Sequence, residues 1–359
     1  MKNLNRPNGS RAARLAAAAI VVAAAIAATA GLAGRGYAAP PGKAYKAAYP
    51  HQEPRFKEPK LRHGLLTIKG TRAGDTIALR LKAGDPGTLQ VDVGDDGSAD
   101  FSFARARVAQ ILVRARAGND LVRIDDVNGV FTDTIPTTIS GGSGNDRLSG
   151  GRGNETFLGG SGNDSIDGNA GNDLALMGSG NDTFVWDPGD GSDTIEGQSG
   201  LDTMRFNGAG AAEKVDLSAN GNRLRFFRDV ATITMDTHGV ERVDFNALGG
   251  ADVVTVNDLS GTDVSDVNID LAGALGGASG DGAADQVIVN GTDGVDAIEV
   301  SGDASEVKAS GLAATVAIFH SEAANDRLEV DTKAGNDTVN SAGLAAGAIQ
   351  LFVDGVLVP

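Results

Sequence analysis

From Gly141 to Val185 the chain repeats a nine-residue unit without slippage: GGSGNDRLS, GGRGNETFL, GGSGNDSID, GNAGNDLAL and MGSGNDTFV. An acid returns at Asp146, Glu155, Asp164, Asp173 and Asp182. Trp186 and Asp187 interrupt the count, after which PGDGSDTIE and GQSGLDTMR restore it, with Asp193 and Asp202 in the acidic place. Glycine recurs at the first, second and fourth places, acid at the sixth and an apolar residue at the eighth. A strict period of this length permits few folds: one short supersecondary unit, stacked on copies of itself.

The glycine-rich first six residues of each unit predict a sharp turn, because glycine accepts positive φ without penalty. The last three predict a short strand whose middle side chain points inward, at Leu148, Phe157, Ile166, Phe184, Ile195 and Met204. Ala175 holds that place in the fourth unit, where Leu174 and Leu176 offer an alternative packing. If two units make one coil, turns eighteen residues apart stack. Asp146, Asp164 and Asp182 then form one column, and Glu155, Asp173 and Asp193 the other. Strands stack about 4.8 Å apart, and two unit charges at that separation repel by roughly 3.5 kcal/mol at an effective dielectric of about 20. A thin structure needs a counter-ion against several such repulsions. A hard divalent cation fits carboxylates mixed with backbone carbonyls, and calcium tolerates this flexible geometry better than magnesium. The chain has no cysteine and only four scattered histidines, which disfavours zinc and copper.

The run resembles the parallel β-roll of the hemolysin-type, or repeat-in-toxin (RTX), calcium-binding family. The resemblance implies Ca2+ between turns eighteen residues apart, ligated by places two, four and six of one turn and one, three and six of the other. Carried onto this chain, it gives Gly142, Gly144 and Asp146 with Gly159, Ser161 and Asp164, then Gly160, Gly162 and Asp164 with Met177, Ser179 and Asp182. On the other side it gives Gly151, Gly153 and Glu155 with Gly168, Ala170 and Asp173, then Asn169, Gly171 and Asp173 with Pro188, Asp190 and Asp193. Glu155 departs from the family's aspartate, and the insertion at Trp186 interrupts the last pair.

The remainder of the chain reads as all-β. Asp followed by alternating apolar positions recurs at Asp75, Asp100, Asp120, Asp252, Asp285, Asp296 and Asp326, bounded by Gly, Asp and Asn, which predicts short strands between tight turns. The flanks are expected to be degenerate coils of the same solenoid, or else β-sandwich material. The tetrads Ala117-Gly-Asn-Asp120 and Ala334-Gly-Asn-Asp337 match the fourth to sixth places of the unit and favour the solenoid. Low aromatic content, 4%, and 51 glycines suit thin side-chain layers.

The expected organisation is a signal peptide over 1–38, a proline-rich basic linker over 39–63, a β segment over 64–140, the repeat β-roll over 141–205 and a degenerate solenoid segment over 206–359. Basic Lys2, Arg6, Arg11 and Arg14, an uncharged run from Leu15 to Ala33 and the small residues at Gly36 and Ala38 have the pattern of an export signal. An uncleaved anchor is the alternative. An N-terminal signal points to the general secretory route, whereas RTX proteins commonly use an exporter that reads the C-terminus. Residues 1–38 hold five basic side chains and no acid, so cleavage takes the formal charge from −16 to −21. So acidic a chain repels nucleic acid and anionic membrane.

No enzyme motif stands out. His51, His63, His238 and His320 are scattered, and there is neither a His-Glu-x-x-His nor a Gly-x-Ser-x-Gly. Asp92 to Asp100 resembles an EF-hand loop faintly but has Gly94 and Phe103 where ligands belong, so a hairpin turn is expected. The expected function is a secreted, non-enzymatic calcium-binding protein whose β-roll folds with the ion. A calcium-stiffened adhesin or matrix component, touching envelope or matrix polymers, is the alternative.

Overall fold

The computed structural model describes residues 56–359; the expected signal segment and most of the linker lie outside them. The described residues form two long sheets, of 15 and 14 strands, between which the chain alternates coil by coil. Neighbours along each sheet are mostly parallel. Thr137–Ser143, Glu155–Ser161, Leu174–Ser179 and Thr194–Ser199 stack in one sheet, and Arg147–Ser149, Ser165–Asp167, Thr183–Trp186 and Thr203–Asn207 in the other. The flanks continue the same sheets in a solenoid-like arrangement: Leu121–Asp125 pairs with Arg147–Ser149, and Arg242–Asn246 with Thr203–Asn207, both parallel.

Inward side chains come from alternate strand residues, as the pleat requires. Leu148, Phe157, Ile166, Phe184, Ile195 and Met204 are all buried, each contributing about 1.5–3 kcal/mol. Ala175 also points inward, in register with Phe157 and Ile195, so Leu174 and Leu176 do not displace it. Met177, two residues on, is fully buried as well. The insertion at Trp186 leaves the stacking intact. The Asp187 amide donates to Asp190 Oδ2 (2.6 Å) to close a small turn, while the Trp186 indole stacks on Phe206 at 3.9 Å and donates to Gly191 O.

Two insertions share one topology. Lys214–Asn220 lies parallel beside Val253–Val256, then Arg223–Arg228 and Ile233–His238 fold back antiparallel until the last lies parallel beside Thr194–Ser199. Ala297–Asp303, Glu306–Ser310 and Thr315–Phe319 do the same in the other sheet, between Thr338–Leu344 and Asp266–Asp270. Short antiparallel strands close three of the sheet ends, which blunts edges open to further pairing. Asp92 to Asp100 lies at the hairpin between Asp85–Val93 and Phe101–Ala104, as expected.

Candidate metal centre

Each glycine-rich turn is locked to the next through its acid. Asp146 Oδ1 accepts the amide of Asp120, Asp164 Oδ1 that of Asp146, and Asp182 Oδ1 that of Asp164, at 2.7–2.8 Å. Asp202 Oδ1 accepts from Asp182 in the same way. On the opposite side Asp173 Oδ1 accepts from Glu155 and Asp193 Oδ1 from Asp173. The two acidic columns expected from the spacing are therefore present, and Asp193 keeps its place despite the insertion.

Each acid uses one oxygen in this ladder or its own turn; the other is bare. Oδ2 of Asp120, Asp146, Asp164, Asp173, Asp182, Asp193, Asp202 and Asp252 is buried without a hydrogen-bond partner, as is Oε1 of Glu155. A bare buried carboxylate oxygen is costly unless a cation meets it. Burial pushes the Asp164 carboxyl up to about 7, with Asp146 and Asp182 adding repulsion. Asp146 rises to about 6, and Asp193 and Asp202 to about 7, burial again being the main cause. Burial, with added repulsion from Asp193 and Glu155, raises Asp173 to about 10.

Backbone carbonyls converge on these oxygens. A methyl group placed on Gly141 would lie 2.2 Å from Asp146 Oδ2 and 2.8 Å from Gly159 O. On Gly159 it would lie 2.6 Å from Asp164 Oδ2 and 2.2 Å from Met177 O; on Gly150 it would lie 2.3 Å from Gly168 O and 2.6 Å from Glu155 Oε2, the oxygen that already accepts the Gly151 amide. At the second and fourth places, Gly160 and Gly162 have φ of +118° and +117°, and a methyl group on either would strike the carbonyl of Gly142 or Gly144 at 2.1–2.2 Å. Glycine is needed there both for its conformation and for the close approach of the next turn. Gly142, Gly144, Gly171 and Gly180 share the left-handed conformation, whereas Gly151 and Gly153 do not. Ser161 O and Ser179 O each accept an amide, from Gly144 and Gly162, and Asp190 Oδ2 is engaged by the Asp187 amide in its own small turn.

The donor set suits a hard cation: anionic oxygens without donors, beside carbonyls. Among the described residues no three His, Cys, Asp or Glu side chains are disposed to hold a metal, so an ion in these turns takes most of its ligands from the backbone. A profile of the RTX calcium-binding nonapeptide repeat, four copies long, matches residues 137–164, 149–184 and 189–208. Residues 137–208 carry an RTX-type calcium-binding repeat domain. No curated protein matches the chain.

The acidic ladder outruns the RTX match. Asp120 Oδ1 accepts the Asp75 amide (2.6 Å), and the series Glu213, Asp252, Asp285 and Asp326 is linked by the same bond at 2.7–3.1 Å. Asp337 Oδ1 accepts from Asp296. In three outer turns the acid is satisfied internally, whereas Asp252 Oδ2 stays bare. Thr71 supplies its amide and hydroxyl to Asp75, Thr292 its amide and hydroxyl to Asp296, and Glu322 its amide to Asp326. Asp100, also picked out by its strand pattern, stands apart and accepts the Val93 amide within its hairpin.

Sequence reasoning missed two features. The fifth-place asparagines form a second ladder: Asn119, Asn145 and Asn163 each accept the backbone amide of the next asparagine at 2.9 Å. Their recurrence in Asn145, Asn154, Asn163, Asn172 and Asn181 was the available signal. The second is Arg228, buried beside the Trp186 ring, whose Nε donates to Glu213 Oε1 at 2.8 Å. Here a guanidinium supplies the positive charge at the acidic place. Arg228→Met keeps the stem but strands a buried carboxylate, and should lower stability by about 3–5 kcal/mol in urea unfolding. A loss below about 1 kcal/mol would mean that Glu213 does not depend on this partner.

Proposed function

We propose that the chain is an exported, non-enzymatic calcium-binding β-solenoid in which Ca2+ orders the central turns. The observation that carries this reading is the unbroken run of buried, partnerless carboxylate oxygens from Asp146 to Asp202, beside the carbonyls of the following turns. The ion sites are those of the two columns: Gly142, Gly144, Asp146, Gly159, Ser161, Asp164, Gly160, Gly162, Ser179 and Asp182 on one side, and Gly151, Gly153, Glu155, Gly168, Gly171, Asp173, Asp190 and Asp193 on the other. When bound, calcium neutralises the columns and completes the donor set. The protein's own part is positional, since the glycine turns bring carbonyls close and the amide ladder fixes each carboxylate.

Self-satisfied outer turns give the coupling a location. Asp75, Asp296 and Asp326 have donors of their own, so these outer turns are built to fold without the ion while the central ones wait for it. Ion binding to the folded form alone stabilises it by mass action. An affinity of about 10⁻⁴ to 10⁻³ M, that of extracellular calcium modules, suits a chain that stiffens after export. Export itself rests on the pattern in residues 1–38. No helix among the described residues is long and apolar enough to cross a membrane.

Far-ultraviolet circular dichroism during a calcium titration, with magnesium as the control, tests the reading. The expected result is a partial, saturable gain of β signal with calcium that magnesium does not reproduce. A spectrum indifferent to calcium, together with an unchanged thermal midpoint, would remove calcium as the organising ligand.

A further inference from the structure

Turn 115–120 lies outside the RTX match and breaks its pattern twice. Arg116 stands at the second place, and the following turn, 141–146, is 26 residues on because a longer connection over 126–136 intervenes. Its backbone nevertheless repeats the matched turns. Arg116 and Gly118 have φ of +95° and +115°, beside +121° and +115° for Gly142 and Gly144. The Gly118 amide donates to Ser143 O at 2.9 Å, as the Gly144 amide does to Ser161 O. A methyl group on Gly142 or Gly144 would strike Arg116 O or Gly118 O at 2.0–2.1 Å, the clearance that Gly160 and Gly162 have over the turn before them. Asn119 joins the asparagine ladder. Asp120, only 2% exposed, gives Oδ1 to the Asp75 amide and leaves Oδ2 buried with no partner.

We propose that turns 115–120 and 141–146 form an additional divalent-cation site, through the carbonyls of Arg116, Gly118, Gly141 and Ser143 and the carboxylates of Asp120 and Asp146. The inference rests on the calcium reading of the repeats and extends it to a turn that the nine-residue pattern does not reach. Alanine at the first place is no obstacle, since Met177 occupies it in a matched repeat. The Arg116 side chain extends the other way, with Nη1 3.3 Å from Gly70 O. It thereby places a positive charge at the next step of the column, where Thr71 already satisfies Asp75. The column of ions therefore ends at this site.

The test is the number of calcium ions held by the folded chain at saturation, by native mass spectrometry. Asp120→Asn keeps an acceptor for the Asp75 amide and should lose one ion relative to wild type, while Asp146→Asn, shared by two sites, should lose two. An unchanged count in Asp120→Asn, with ions still lost in Asp146→Asn, overturns the additional site and leaves the repeat sites standing. A wild-type chain that holds no calcium overturns the reading of the repeats itself. If Asp120→Asn does not fold, hydrogen exchange on wild type decides. Calcium should slow exchange in peptides covering 115–121 as it does over 141–164, but not over 65–75; no protection at 115–121 sinks the proposal.

Discussion

Asp164→Asn should cost the chain two calcium ions, and Asp296→Asn none. Both acids hold the sixth place of a stacked turn, and both give one oxygen to the ladder or to their own turn. They differ in what meets the other oxygen. Asp164 Oδ2 has no partner and sits beside Met177 O, whereas Asp296 receives the amide and hydroxyl of Thr292 at 2.7–3.0 Å. Asp164 also has repeat turns on both sides, at Asp146 and Asp182, so its charge serves two steps of the column. At a hundredfold excess of calcium over the dissociation constant, each lost site removes about 2.7 kcal/mol of stabilisation, or roughly 5 kcal/mol for two. Asparagine preserves the acceptor for the Asp146 amide and removes a buried charge, so the calcium-free form should not be destabilised. Native mass spectrometry and thermal melts with and without calcium read both quantities. Equal ion counts in the two variants would mean that bare oxygens do not mark the ion sites.

The central coils were largely legible because their spacing is constant. Once glycine turns alternate with three-residue strands, the eighth-place side chains must point inward and acids eighteen residues apart must align, as Phe157, Ile166, Asp146 and Asp164 do. The flanks were legible only in fragments. Asp120, Asp252, Asp285, Asp296 and Asp326 were visible as acids before strands, but the intervals between stacked acids vary: 26 residues from Asp120 to Asp146, 33 from Asp252 to Asp285, 39 from Glu213 to Asp252. Inserted strands and longer connections cause this variation, and a fixed period cannot follow them. The distinction between Gly142 and Thr71 at the second place was in the sequence, yet its consequence required the structure. Only the folded turn shows that threonine can reach the carboxylate which glycine leaves bare. Arg228 carried no local signal, since its partner Glu213 lies 15 residues earlier, in the turn before Lys214–Asn220.

Stability should depend on pH in opposite senses with and without calcium. Burial raises the folded-state carboxyls of Asp164, Asp193 and Asp202 to about 7 and Asp252 to about 8, while the unfolded chain titrates near the ordinary aspartate value of about 4. A group whose affinity for protons is raised on folding contributes stability that is complete below the unfolded value and is lost as pH rises through the folded one. Each tenfold increase in proton affinity corresponds to about 1.4 kcal/mol. Several acids titrating together can therefore remove much of an ordinary stability of about 5–15 kcal/mol. The metal-stripped chain should have its highest thermal midpoint near about pH 4 and lose stability steadily toward about pH 8. Calcium needs the carboxylates of the central columns deprotonated, so its binding strengthens over that window and releases protons. In calcium at about a hundredfold excess over the dissociation constant, the midpoint should hold or rise between the same two pH values. The crossing of the two curves separates this account from a glycine turn array indifferent to metal. A metal-stripped midpoint that rises with pH would mean that the columns are ionised and already compensated by the protein alone.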